Sequence, residues 1–243
     1  TTAIMHLVDR GLLSLDDKVG TYIDRYTTVE KNELTVRDLL NHESGLPAFK
    51  VYVDKIQDRK SLIEAVKNED LQYEPHEKYV YSDLGLILLA EIIEIVSGER
   101  IDDYVRKYLF YPLGMSSTSF TPKNVGQWYA RSIPPTEMDT IYRKSLVQAD
   151  VHDERAYYMD GIAGHAGLFS NTIDMAKYIT FLLNGGYYGG QRYLSEHLIQ
   201  EFTTAQNSLS GRGLGFDVKS RSDFSSAGTL MSNKSFGHTG FTG

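Results

Sequence analysis

Apolar residues recur with helical spacing through most of this chain, and strand-like alternation comes only near its end. Ile4, Leu7 and Val8 fall on one face of a helix already in progress at the first residues, with Gly11 as its stop; Thr1 or Thr2 is a candidate N-cap, and a helix that begins upstream is the blander reading. A second helix is expected over Thr35–Asn41, followed by the turn His42-Glu43-Ser44-Gly45-Leu46-Pro47. Ser61–Lys67 reads as a short helix, and Pro75-His76-Glu77-Lys78 as a loop. Leu84–Ser97 is apolar on nearly every side, which predicts a central, buried helix with Asp83 as N-cap and Gly98 as C-terminal stop. A further helix spans Ile101–Phe110 and ends at Pro112-Leu113-Gly114-Met115.

Residues 116–160 lack clear periodicity and include Pro134-Pro135, so they read as a long surface excursion. After the glycine-rich Gly161–Phe169, Ser170 is placed to cap a helix over Thr172–Leu183 that Gly185-Gly186 end, and Ser195 to cap another over His197–Thr204. The strand-like segments are Leu214–Val218, Thr229–Met231 and Ser235–Phe241. Many helices with few, late strands predict an α+β fold: a helical subdomain on an antiparallel sheet that is incomplete in this chain and leaves edges exposed. With no internal repeat or low-complexity linker, residues 1–243 are expected to form a single domain.

The composition supports a packed core, with 41% hydrophobic and 23% charged residues in 243. A net charge of −7 and the lack of any Lys/Arg run argue against a nucleic-acid partner, because phosphate binding needs a basic face. The absence of cysteine excludes disulfides, thiolate metal sites and a cysteine nucleophile. The longest apolar stretch, Leu84–Val96, is broken by Glu91 and Glu94 and is shorter than the roughly 20 residues of a membrane span, so no transmembrane segment is expected.

Two short segments bear chemistry. In Tyr81-Ser82-Asp83, a tyrosine at the mouth of a buried helix can act as a general base if nearby cations lower its pKa; with 17 tyrosines in the chain, a core-edge Tyr followed by a capping Asp is the blander reading. In His238-Thr239-Gly240, a glycine on an edge strand lets a substrate backbone approach, the Phe241 N–H can face a developing oxyanion, and His238 can add a charge or a proton. His152, Asp153 and His165 are good ligand types, but their spacing fits no compact metal motif, so loop-to-loop hydrogen bonding is expected of them and no metal. His42 reads as a turn-stabilising residue. Ser44 lies in a Ser-Gly turn without a lysine three residues on, so it is not read as a nucleophile.

Several stretches together resemble one family. Leu34-Thr35-Val36-Arg37-Asp38-Leu39-Leu40-Asn41-His42-Glu43-Ser44-Gly45-Leu46-Pro47 resembles the LTVRDLLTHTSGLP signature of serine β-lactamase-like hydrolases. Tyr81-Ser82-Asp83-Leu84-Gly85 is similar to their YSNxG segment, and Pro112-Leu113-Gly114-Met115 to their PLGM. Gly164-His165-Ala166-Gly167-Leu168-Phe169-Ser170 through Asp174 resembles their GGLxST…D stretch, and Gly213-Leu214-Gly215-Phe216 and Gly237-His238-Thr239-Gly240 resemble their late GLG and HTG strands. Order and spacing agree over essentially the whole chain. The group includes class C β-lactamases, low-molecular-weight penicillin-binding proteins and related esterases and peptidases. Val151-His152-Asp153 with Gly164-His165-Ala166-Gly167 looks closest to a bacterial subgroup of which some members are fused behind a glycoside hydrolase, and such a fusion is one arrangement the resemblance implies.

The resemblance implies an acyl-enzyme mechanism on an amide, peptide or ester, in which the serine of a Ser-x-x-Lys motif attacks the carbonyl and water releases the acid. Tyr81 would match the tyrosine that shuttles a proton with that lysine, Asp83 an asparagine that contacts the substrate, and His238 a Lys or His that holds the substrate carboxylate and tunes Tyr81. Thr239 and Gly240 would line the substrate strand, and Phe241 would supply an oxyanion-hole N–H. No cofactor is implied, and cell-wall substrates would place the protein in the periplasm or otherwise outside the cytoplasm. No suitable Ser-x-x-Lys occurs here; family spacing puts it within roughly ten residues before Thr1, so the chain is expected to lack that segment, and the last strands and helix, and to be inactive alone. Asp83 also departs from the family asparagine: ionised, it accepts hydrogen bonds and donates none, which disfavours the acylamino carbonyl of a β-lactam. A non-catalytic binding module on the same scaffold is the competing reading.

Overall fold

The computed structural model describes residues 1–52, 56–124, 131–206, 209–219 and 228–242. Its helices are α1 (Thr2–Asp9), α2 (Val36–Asn41), α3 (Arg59–Lys67), α4 (Asp83–Ser97), α5 (Ile101–Val105), α6 (Glu154–Tyr158), α7 (Thr172–Leu183) and α8 (Glu196–Phe202). The strands described are short and pair antiparallel in twos: β1 (Ser119–Phe120) with β4 (Leu168–Phe169), β2 (Glu137–Asp139) with β3 (Ser145–Val147), β5 (Tyr187–Tyr188) with β6 (Gln191–Arg192), and β7 (Asp217–Val218) with β8 (Phe236–Gly237). The fold is therefore mixed, helices with small open antiparallel sheets, as the sequence pattern predicts.

Helix α4 is the centre. Leu84, Ile87, Leu88, Leu89, Ala90, Ile92 and Ile93 are all buried, and α1, α2, α3 and α5 pack around it. A helix apolar on all sides is stable only when neighbours cover every face. Gly98 closes it in a left-handed conformation (φ 68°), as a glycine stop should. Its N-cap is Ser82 rather than the expected Asp83. The Ser82 hydroxyl accepts from the Gly85 N–H at 3.3 Å and donates to the Pro47 carbonyl at 2.7 Å, so tertiary contact selects the serine and leaves Asp83 in the first turn.

Other boundaries shift for similar reasons. Thr35 caps α2 in a reciprocal box with Asp38, and Asn171 caps α7 in place of Ser170, whose hydroxyl instead pairs with Thr118 at 2.8 Å. Ser195 stands at the α8 N-cap without a side-chain capping bond, and the helix spans Glu196–Phe202. The expected helix Ile101–Phe110 is α-helical to Val105 and then widens into a π-type turn over Arg106–Phe110.

The described residues of 116–160 are more ordered than a surface excursion. They hold the β2–β3 hairpin, α6, and the core residues Val151, Ala156 and Met159. The hairpin is held by Asp139, whose carboxylate accepts from the backbone N–H groups of Ile141, Tyr142 and Arg143, each at 2.9 Å, and pairs with the Arg143 guanidinium at 3.0 Å. Its two strands are too short to register as alternation. Late in the chain, Thr229–Met231 is an exposed turn rather than a strand, and within the two other segments expected as strands Asp217–Val218 pairs with Phe236–Gly237 while Phe216 makes an isolated bridge with Gly213.

Candidate functional site

Two walls form the site, and the first is built by a clamp between the end of α2 and the segment leading into α4. His42 ends α2 in the left-handed region (φ 58°). Its carbonyl accepts from the Val80 N–H at 2.9 Å, and its Nδ1 from the Ser82 N–H at 3.1 Å. The Asp83 N–H donates to the Ala48 carbonyl at 2.9 Å. Tyr81 is thereby held between fixed neighbours, half-buried, with the His42 ring 4.4 Å away centroid to centroid. Because Nδ1 accepts a backbone N–H, the proton of the neutral imidazole sits on Nε2. Burial, with Arg212 and His238 nearby, pushes the His42 pKa down to about 3. His42 thus stabilises the turn, as expected, and also forms one side of the Tyr81 environment.

The second wall comes from the far end of the sequence. Pairing of Asp217 with Gly237 and Val218 with Phe236 brings His238 beside Tyr81, with ring centroids 5.7 Å apart. His238 Nδ1 donates to the Thr239 carbonyl at 2.7 Å, which leaves Nε2 as the acceptor of the neutral ring. His238 is open to solvent on one side, but desolvation where its ring packs, together with the Arg212 charge, lowers its pKa below the ordinary histidine value. Thr239 and Gly240 are exposed along the same edge, and the exposed Phe241 lays its ring 5.2 Å from that of His152.

Arg212, which the sequence pattern does not single out, enters here. Its guanidinium lies 5.6 Å over the Tyr81 ring and 5.9 Å over that of Tyr79, and it pairs with Asp217. Tyr81 was expected to serve as a base if cations lowered its pKa. The net direction is upward: burial and the Asp83 charge raise it, Tyr79 adds to this, and Arg212 alone opposes them. A buried phenol resists ionisation, and one cation does not reverse that here.

Asp83 is not a free carboxylate. Its Oδ2 lies 2.8 Å from Arg155 Nη2, and the same nitrogen donates to Asp153 Oδ2 at 2.7 Å. Asp153 Oδ1 accepts the Ala156 N–H at 2.8 Å, capping α6, and bonds His165 Nε2 at 2.9 Å. Burial works against the Asp153 charge, but His165 and Arg155 outweigh it and hold the carboxyl well below its ordinary range. The three residues considered as ligands therefore divide. Asp153 and His165 make the loop-to-loop bond, while His152 bonds Thr136 Oγ1 at 3.0 Å, and no cluster able to hold a metal occurs among the described residues. Arg155 carried no signal in the sequence beyond its nearness to Asp153.

A family model described as Beta-lactamase matches residues 1–243. The chain belongs to the beta-lactamase family. It is 35% identical, over 99% of its length and 61% of the relative's, to a protein of Escherichia coli (strain K12) named "Putative D-alanyl-D-alanine carboxypeptidase". It thus spans about three fifths of the length of the curated relatives it matches. Among solved structures, a penicillin-binding protein homologue from Caulobacter crescentus superposes with a TM-score of 0.74 at 17% identity, covering 98% of this chain and 68% of that one. The octameric penicillin-binding protein homologue from Pyrococcus abyssi matches at TM-score 0.65 and 26% identity, over 88% of this chain and 50% of that one. The family model and the relatives' names place the chain in the serine β-lactamase and penicillin-binding-protein family. Among the described residues no helix is long and apolar enough to cross a membrane.

Proposed function

We propose that this member of the beta-lactamase family forms most of the active site of a serine hydrolase that works through an acyl-enzyme, with a D-alanyl peptide as its leading substrate class. The observation that carries this reading is the approach of Tyr81 and His238, brought to 5.7 Å from segments far apart in the sequence. The nucleophile would come from a Ser-x-x-Lys segment preceding Thr1. In support, the start of α1 lies against the turn that follows Arg212: Thr1 Oγ1 bonds the Gly215 carbonyl. In this reading the serine oxygen attacks the carbonyl carbon, Tyr81 takes its proton and passes it to the leaving group, and water then releases the acid. The Phe241 N–H, which has no acceptor among the described residues, is suited to a developing oxyanion. His238, Thr239 and Gly240 would align the substrate strand, and Asp83, tied to Arg155, would face its acyl side. A cell-wall peptide substrate would place the protein outside the cytoplasm.

The test uses the full-length protein. It is expected to be labelled by a fluorescent penicillin and to release D-alanine from a D-alanyl-D-alanine peptide, and Tyr81→Phe is expected to slow acylation about 10²- to 10⁴-fold. A folded full-length protein that is neither labelled nor turns over p-nitrophenyl esters would instead be a binding module.

A further inference from the structure

Arg212 sits where its charge acts on Tyr81 and on the groups packed around it. Its segment is pinned on both sides. The Gly213 N–H donates to the Phe216 carbonyl at 3.0 Å, and the Gly215 N–H to the Leu40 carbonyl at the end of α2, also at 3.0 Å. A side chain at 213 would run into the Phe202 carbonyl of α8, and Gly215 has a φ of +70°, so this run of glycines fits tightly and fixes the direction in which Arg212 leaves the chain. The arginine side chain is only 12% exposed. Its Nε and Nη2 are buried with no hydrogen-bond partner among the described residues, and Asp217, its counter-ion, holds only the other end nitrogen. A buried guanidinium with unused donors is costly in a folded protein, and such a cost marks a place where the charge has a task.

The groups around Tyr81 make that task specific. His42 faces it from the end of α2, Tyr79 and Asp83 from its own segment, and His238 from beyond β8. Both histidines are pushed toward the neutral form. Arg155, the ion-pair partner of Asp83, is shared with Asp153. Against Asp83, Arg212 is the cation of the set.

We propose that Arg212 is a positioning residue whose guanidinium, stacked on the Tyr81 ring, stabilises the Tyr81 phenolate and so makes proton transfer through Tyr81 accessible. This rests on the reading of Tyr81 as the proton-transfer group. It reassigns to Arg212 the tuning that the family resemblance implies for His238. The face of the ring attracts a cation, and the attraction grows when the phenol loses its proton.

The experiment compares Arg212→Gln, Arg212→Lys and Asp217→Asn in the full-length protein by two readouts. One is the pH profile of penicillin acylation. The other, independent of activity, is the titration of the Tyr81 ring by ¹³Cζ-tyrosine NMR, assigned with Tyr81→Phe. Arg212→Gln is expected to move the acid limb of the profile upward by about one pH unit, a roughly tenfold slower reaction on that limb, and to delay ionisation of Tyr81. Arg212→Lys keeps the charge and is expected to recover most of the rate. Asp217→Asn removes the counter-ion and is expected to move the limb the opposite way. If the Arg212–Asp217 pair is merely structural, both neutralising variants lose activity in the same direction; that result, or a Tyr81 titration identical in the parent and Arg212→Gln, overturns the proposal. Absence of acylation in the parent with a shifted Tyr81 titration would sink the hydrolase reading and leave the Arg212 assignment standing.

Discussion

Replacing His42 by asparagine isolates one buried titration. Asparagine tolerates the left-handed backbone at this position and can accept the Ser82 N–H with its side-chain oxygen, so the clamp is kept while the ionisable ring is lost. In the native protein the imidazole is 2% exposed and its pKa falls from 6.5 to about 3. In the unfolded chain it binds a proton below about 6.5, whereas the folded state refuses it until about pH 3. Within that window the unfolded state holds more protons, so stability falls as pH falls, by about 1.4 kcal/mol per pH unit from this residue. The full loss is roughly 4–5 kcal/mol, of which about 2 kcal/mol has accrued by pH 5. Urea unfolding followed by circular dichroism between pH 7.5 and 5 measures it for both proteins. The stability difference at pH 7.5 records lost ring packing and serves as the baseline. At pH 5, His42→Asn is expected to have regained about 2 kcal/mol against that baseline. A difference that stays constant within about 0.5 kcal/mol across the range refutes the reasoning and returns His42 to an ordinary titration.

Two further substitutions probe packing around α4. Gly164→Ala would drive a methyl group into the Leu86 carbonyl and against Ala90, neither of which can swing aside, so it is expected to cost about 1–3 kcal/mol, read as a lower thermal midpoint; an unchanged midpoint contradicts this packing. Ser82→Ala removes the α4 cap and leaves the Pro47 carbonyl without its donor, a loss of about 1–2 kcal/mol in the same assay, and an effect below about 0.3 kcal/mol would show that the clamp does not depend on this hydroxyl.

What the sequence made legible was whatever depends on neighbours along the chain. The stop at Gly98, the helix ending at Asn41 and the all-round apolar face of α4 follow from local rules, and they hold. The choice between Ser82 and Asp83 as cap was not local. Both can accept a backbone N–H, and the Pro47 carbonyl and Arg155, from distant segments, decide which does. The β2–β3 hairpin escaped because its strands are three residues each and its loop is organised by the buried Asp139. For the candidate site, the matching motifs pointed to Tyr81 and His238, and these do meet. Arg155 and Arg212 went unseen because an arginine in an aperiodic stretch has no pattern to betray which distant carboxylate or ring it will meet. Electrostatics then altered what the motifs imply, since burial outweighs the one cation at Tyr81 and favours the neutral form of His238.

The clamp that holds Tyr81 also bears on the order in which the protein assembles. Its closing contacts join residues about forty positions apart, as in the bond between the Ser82 N–H and His42. The wall with His238 and Arg212 is reached only when β7 and β8 have paired late in the chain. Contacts close in sequence form first, because less chain entropy is lost in closing short loops, and synthesis runs in the same direction. Tyr81 and its histidine neighbour can therefore be set in place on the growing polypeptide while the opposite wall is still unmade. The later event would then be the arrival of the arginine and histidine that give the phenol its electrical surroundings, so that the chemistry of the site waits on the pairing of β7 with β8.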